Sequence, residues 1–433
     1  MYSSLPARRL SRRTALKLGL GTTVLGAVGS GAGCAPVTPD SGGAQGDNTF
    51  TIYWNAGHSY KAYESVIDQF GKDNDLQINW QKFQWPDLAT KLTADFKSGS
   101  VPDLVEEMSA GTGTQYGIAG NVMAIDDLAK SEADLKFPDD FVKGAVTARQ
   151  YEGKSYSVPF HLTANGLLFY NKQLLADAGF AQPPSTWEEF SEMTKATTRN
   201  RVSGTALNSD PGYSAPFYCQ QGVAFSDLAK QEFLTPEAGA SKALQYMQDL
   251  IFTQKVSPAP VATTDYSGPQ KLFSARRAAS FVSGPWDLAP VRQGSPDIEL
   301  GLAAPLKGSV RASSLAGSGL MIPTKAKNPE LSMKLVAKLT ALETELAATK
   351  EAGMSMPRKS WAQDPTVVSD ENLKVIAAAV GLVAEQDVEL SASGKLSQVS
   401  DLYKKAYQQI VIQQRPVDQT LAEFRTQAKS AVQ

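Results

Sequence analysis

The stretch Phe50-Thr51-Ile52-Tyr53-Trp54-Asn55-Ala56-Gly57-His58 decides how the chain is read. Its first five residues are β-branched or aromatic and predict a strand, and the polar, glycine-containing remainder predicts a loop. Tyr63, Val66, Ile67 and Phe70 then recur at helical spacing. Residues 76–83 read as a second strand, with Ile78 and Trp80 on one face. Pro86 opens a helix at a favoured first-turn position, with Leu88, Leu92 and Phe96 on one side. Residues 103–107 make a short third strand. Strand, helix, strand, helix, strand at this rhythm predicts an α/β unit with a largely parallel sheet.

Further along, residues 151–160 read as a hairpin and residues 166–170 as a strand. Ser185-Thr186-Trp187-Glu188 has the signature of a capping box opening a helix. Phe281-Val282-Ser283 reads as a buried strand ahead of Gly284-Pro285-Trp286. Asn328-Pro329 caps what reads as one long helix, its core side carrying Leu331, Leu335, Leu339, Leu342 and Leu346. Two more helical patterns close the chain. No repeat of about 20–50 residues is visible, which argues against a solenoid.

The chain has 433 residues, 42% of them apolar and 20% charged, an ordinary globular composition. At roughly 100–200 residues per domain, that length predicts two or three domains or lobes. A net charge of -2 leaves no basic footprint for nucleic acid. Two cysteines cannot build a disulfide framework, and two histidines are a poor basis for a metal site, so neither metal nor cofactor is expected.

Arg8, Arg9, Arg12, Arg13 and Lys17 all fall in residues 1–33, which hold no acid. A basic opening before a small-residue, weakly apolar run has the pattern of an export signal. Ser11-Arg12-Arg13-Thr14-Ala15-Leu16-Lys17 resembles the twin-arginine export motif. Ala32-Gly33-Cys34 resembles a bacterial lipoprotein processing site, which implies lipidation of Cys34; a signal cleaved without lipidation is the alternative. Residues 35–48 are almost free of apolar side chains and read as a flexible tether. Cys219 is then the one cysteine of the mature body, expected to be buried.

Enzyme signatures are mostly absent. Gly153-Lys154-Ser155 lacks the phosphate-loop glycine, its place being held by Ala148. In Gly111-Thr112-Gly113-Thr114-Gln115-Tyr116-Gly117 the third glycine of a dinucleotide fingerprint comes one residue late. There is no nucleophile elbow, and His58 and His161 are the only imidazoles a triad could use.

Six segments in order resemble one family. These are Ser98 to Val105, with Pro102-Asp103 entering a strand, the hairpin Tyr151 to Phe160, and the run Leu168-Phe169-Tyr170-Asn171-Lys172, Ala178-Gly179-Phe180, Pro183-Pro184-Ser185-Thr186-Trp187. Ser283-Gly284-Pro285-Trp286, Pro305, and Ala316-Gly317-Ser318-Gly319 complete the set. From about Thr49 onward the chain resembles the extracellular solute-binding proteins of ATP-driven (ABC) importers, in the carbohydrate-binding branch that includes maltose-binding protein. The resemblance implies a two-lobed α/β fold like the periplasmic binding proteins, with mostly parallel sheets, flanking helices and chain crossovers at a hinge. It implies residues 1–33 as signal, 34–48 as tether, 49–161 with 317–348 as the first lobe, and 162–316 with 349–433 as the second. It further implies an exported, non-enzymatic monomer that captures a mono- or oligosaccharide and delivers it to membrane permease subunits.

A sugar ring offers apolar C–H faces and a fringe of hydroxyls, which aromatic planes and polar side chains serve. The candidate contacts are Trp54, Asn55 and His58 after the first strand, Gln84 and Trp85 after the second, Glu107 after the third, and His161 near the hinge. Trp286, Asp287, Gly317 and Arg358 are candidates from the later chain. A non-sugar solute is the alternative. A phosphorylated polyol would want clustered basic residues, whereas Glu106, Glu107 and Asp287 leave a polyamine open, and a peptide or a secreted glycan hydrolase completes the alternatives.

Overall fold

The computed structural model describes residues 48–109, 111–263, 265–384 and 388–433. The expected export signal with Arg12 and Arg13, the lipidation site Cys34 and the tether up to residue 47 lie outside the described residues.

The opening stretch folds as the pattern requires. Strand β1 (Thr49–Asn55), helix α1 (Lys61–Asp73), strand β2 (Gln77–Phe83), helix α2 (Trp85–Ser98) and strand β3 (Leu104–Glu107) follow in order. β1 pairs parallel with both β2 and β3. Every residue of β1 except Thr49 is buried, as expected for a central strand of a covered sheet. Asp103 sits ahead of β3 and accepts from the Thr51 amide at 2.8 Å, which fixes where that strand begins.

Strand β4 (Val158–Pro159) leads into the first crossover, β5 (Thr163–Asn165), and then into β6 (Leu167–Asn171). β7 (Ser280–Ser283) and β8 (Leu300–Ala303) flank β6, and β9 (Ser314–Ala316) runs back to β10 (Gly319–Met321). One sheet therefore has the order β2-β1-β3-β10-β4 and the other β7-β6-β8. The expectation of parallel pairing holds for β1 to β3 and fails in the second sheet, where both pairs are antiparallel. The reason is direction. β6 leaves the crossover just where β7 returns to it, Gly166 donating to the Ser283 carbonyl at 3.0 Å. The crossovers themselves pair, β5 with β9, as a two-stranded ribbon between the sheets.

The expected long helix after Asn328 is two helices, Pro329–Leu339 and Leu342–Ala352. Ala341 between them is extended (ψ 143°), and the Arg358 guanidinium takes the Thr340 carbonyl. The second of these helices packs on α1 and runs through residues 348 and 349, where the lobes were expected to exchange chain. The backbone meets the crossover later, where Leu162 donates to the Ser355 carbonyl at 3.1 Å. The capping box is displaced by one residue: Thr186 accepts from the Glu189 amide, and Glu189 accepts from the Ser185 amide.

Candidate functional site

The first lobe's face of the site is set at the carboxyl ends of β1 and β3. Asn55 accepts from the Gly57 amide at 2.8 Å and turns the loop, while its own amide donates to Glu106 Oε2 at 3.0 Å. His58 then meets Glu106, Nδ1 to Oε1 at 2.6 Å. His161, just after β4, lies on the other side, 3.7 Å from the same oxygen. Its remaining contacts are the Tyr63 hydroxyl at Nε2, 2.8 Å, and the Ser318 hydroxyl at Nδ1, 2.9 Å. Burial alone would raise the Glu106 pKa, but the two imidazoles outweigh it and hold the group down to about 2. Burial pushes His161 down to about 4, so its ring is neutral at neutral pH.

A cavity of about 450 Å³ opens beside this face. Ser109 from the loop after β3 lines one side, and Asn165 and Ser314 from the crossovers, with Tyr213, Trp286 and Tyr403, line others. Among the described residues none of its lining side chains is charged. The half-buried Trp286 donates from Nε1 to the Tyr213 hydroxyl at 3.1 Å, and the two rings meet edge to face, 6.1 Å apart. Asn165 donates to the Gly212 carbonyl at 3.0 Å, but its Oδ1 is buried without a partner. Asp287 accepts from the Ser283 hydroxyl, and burial raises its pKa to about 7.

Four expected contacts prove to be internal: Trp54, Glu107, Arg358 and His161, the last with no exposed surface. Trp54 is fully buried, packed edge-on against Trp80, Tyr63 and Phe160. It sits within β1, not in the loop after it, so its ring belongs to the core. Glu107 is buried and locked by Arg149, the Ser157 hydroxyl and the Gly113 amide. Arg358 is buried against Phe141, bonded to Asp140 at 3.0 Å and to the Thr340 carbonyl. Gly317 has φ +127°, and a Cβ there would lie 2.1 Å from the His161 carbonyl oxygen. It lets the two crossovers touch.

Around the site, the expected residues fall into two groups. His58, Asn55, His161 and the half-buried Trp85, whose ring is 5.7 Å from His58, come together on the first lobe. Trp286 and Asp287 stand on the second, and Gln84 is exposed ahead of α2. Asn165, Tyr213 and Ser318 were not legible as site residues. Asn165 precedes the Leu-Phe-Tyr-Asn-Lys segment closely enough to have been a signal, whereas Tyr213 lies in a stretch without a motif. No metal was expected from two histidines 103 positions apart in the chain, yet the fold puts their rings 4.5 Å apart.

The family model for bacterial extracellular solute-binding proteins matches residues 53–345. The arabinooligosaccharide-binding protein of Bacillus subtilis is 23% identical over 71% of this chain and 72% of its own length. The diacetylchitobiose binding protein DasA of Streptomyces coelicolor is 24% identical over 82% of this chain and 83% of its own. Among solved structures, an ABC transporter solute-binding protein of Thermotoga lettingae bound with α-D-tagatose superposes with a TM-score of 0.79. It is 20% identical and covers 89% of this chain and 100% of that one. The GacH receptor of Streptomyces glaucescens, solved unliganded and with acarbose, gives a TM-score of 0.78 at 20% identity, covering 89% of this chain and 98% of that one. These likenesses establish the two-lobed binding-protein fold.

Proposed function

The chain belongs to the bacterial extracellular solute-binding proteins, and we propose that it is an exported, monomeric receptor that takes a neutral carbohydrate into the cleft between its lobes. It gives the sugar up unchanged to the permease subunits of an ABC importer. Residues 1–33 act as a twin-arginine-type signal, and a lipid on Cys34 holds the body to the outer face of the membrane. Closure turns on the crossovers beside His161 and Gly317, and the ligand shifts the open and closed populations by touching both lobes.

One observation carries the choice of ligand: Asn165 lines a cavity shared with Trp286 and Tyr213, and its buried Oδ1 has no hydrogen-bond donor among the described residues. A buried acceptor left unpaired costs roughly 1–3 kcal/mol. A sugar hydroxyl is a donor of the right kind, and the C–H face of the same ring packs on the Trp286 indole. Uncharged described walls favour a neutral polyol over a phosphate ester or a polyamine. The carbohydrate ligands of several relatives agree with this choice.

The test is Trp286→Ala, read by calorimetry against the sugar that co-purifies with the protein and is identified by mass spectrometry. Affinity should fall at least about tenfold while the melting temperature of the unliganded protein stays nearly constant. A large loss of stability with no change in affinity would assign Trp286 to the core. A thermal-shift screen in which no carbohydrate raises the melting temperature would reject the sugar reading.

A further inference from the structure

The chain spends both of its histidines on one carboxylate. We propose that His58, Glu106 and His161 form a binding site for a divalent transition-metal ion of the zinc class, in the wall of the cleft beside the hinge. The site is distinct from the Trp286 cavity, and its assignment does not depend on which solute that cavity takes.

The donor geometry is close to what such an ion needs. One ligand atom from each residue can be chosen so that all lie within 4.8 Å of one another. Bonds of about 2.0–2.2 Å in a tetrahedron place donor atoms about 3.3–3.5 Å apart. The His161 to Glu106 separation of 3.7 Å lies within about 0.4 Å of that range. His58 to Glu106, at 2.6 Å, is now a hydrogen bond and would have to open by less than about 1 Å. His58 sits on a short loop and is the only one of the three with an exposed fraction, 16% against 0% for the other two side chains.

Charge argues the same way. The Glu106 side chain is wholly buried, and among the described residues its ionisable partners are the two imidazoles, with no lysine or arginine. A buried anion needs a cation, which here is either a proton on an imidazole or a metal ion between them. Two nitrogens and one carboxylate oxygen suit zinc, cobalt, nickel or ferrous iron rather than calcium or magnesium.

The surroundings are those of oriented ligands. With Nδ1 of His161 on the ion, Nε2 carries the proton and donates to the Tyr63 hydroxyl, which fixes ring and tautomer. Glu106 Oε2 is held by the Asn55 amide. The Ser318 hydroxyl, now bonded to His161 Nδ1, is released to bond a water in the fourth position. Three protein ligands with one open position is the arrangement of an exchangeable site. His58, the member with exposed surface, is the side from which an ion or a water reaches that position.

The experiment uses the full chain without an affinity tag, stripped with a chelator and titrated with zinc by calorimetry and with cobalt by visible absorption. We expect one saturable equivalent, a raised melting temperature, and an intense cobalt spectrum of low coordination number. Glu106→Gln and His58→Asn should each weaken zinc binding at least about a hundredfold. Circular dichroism establishes that the variants are folded. If a variant does not fold, the wild-type cobalt spectrum decides, since the weak bands of a six-coordinate hydrated ion would refute the site. Absence of saturable zinc binding, or equal affinity in folded variants, would also overturn the assignment.

Discussion

Asp287→Asn should make the protein more stable at alkaline pH and stabilise it much less in mild acid. Asp287 is 5% exposed, and no ion pair reaches it among the described residues. It accepts from the Ser283 hydroxyl at 2.5 Å, with the phenols of Tyr213 and Tyr266 nearby. Burial lifts its pKa from 3.8 to about 7. The folded protein therefore binds this proton more tightly than the unfolded chain does. Stability contributed by the neutral form is complete below the unfolded pKa and is lost as pH rises through the folded one, between about 4 and 7. A shift of about three pH units at about 1.4 kcal/mol each gives a penalty on the order of 4 kcal/mol above neutrality. Asparagine keeps the shape and the acceptor for Ser283 and has no charge to bury. Urea unfolding of both proteins at pH 5 and pH 8, without ligand, measures the difference. The variant should gain about 4 kcal/mol at pH 8 and about 1.5 kcal/mol at pH 5. A difference independent of pH, or a variant less stable at pH 8, would refute a buried, unpaired acid at this position.

Other substitutions probe other links. Gly317→Ala forces a Cβ into the His161 carbonyl at φ +127°, and should lower stability by about 2 kcal/mol or more in thermal unfolding. Arg358→Ala strips the Asp140 carboxylate and the Thr340 carbonyl of a buried partner, and should lose about 3–5 kcal/mol by urea unfolding. Glu345→Gln should be neutral or stabilising in the same assay, because both Glu345 oxygens are buried without hydrogen bonds among the described residues and burial drives its pKa upward. Cys219 is buried at the cavity wall with its pKa raised to about 12, so in a Cys34→Ser background it should react slowly with thiol reagents, and more slowly still with ligand bound.

The first lobe was legible because its signals are local. Val66, Ile67 and Phe70 recur at a helical period, Pro86 marks a helix start, and the β-branched and aromatic run over residues 50–54 marks a strand, so α1, α2 and β1 appear close to where the pattern puts them. The break between the helices at Thr340 was not legible, because the leucine spacing continues across it and the group that takes the freed carbonyl, Arg358, comes 18 residues later. The antiparallel second sheet was hidden for a related reason. Strand direction depends on the crossover beside Gly166, and no residue pattern inside β6 or β7 records it.

At the site, the pattern of residue types does not record which way each side chain faces. Glu106 and Glu107 are adjacent at the end of β3, so the pleat sends them to opposite faces of the sheet. The outcome is two carboxylates with unrelated work: Glu107 pins Arg149 and the Ser157 hydroxyl, while Glu106 receives both histidines. The same parity separates Trp54, turned into the core, from Asn55, whose side chain shapes the His58 loop. A pleat of period two sets only relative facing, and which member of each pair faces the cleft depends on register with β10. There Leu320 stands opposite Glu106 and Gly319 opposite Glu107. A Cβ at Gly319 would come within 2.3 Å of Glu107 Oε1, so the glycine is what lets that carboxylate lie flat under the neighbouring strand. The Ala-Gly-Ser-Gly segment therefore makes room for two things at once: the carbonyl of His161 over Gly317 and the carboxylate of Glu107 over Gly319. Enlarging either glycine disturbs the seam on which the histidine pair is mounted.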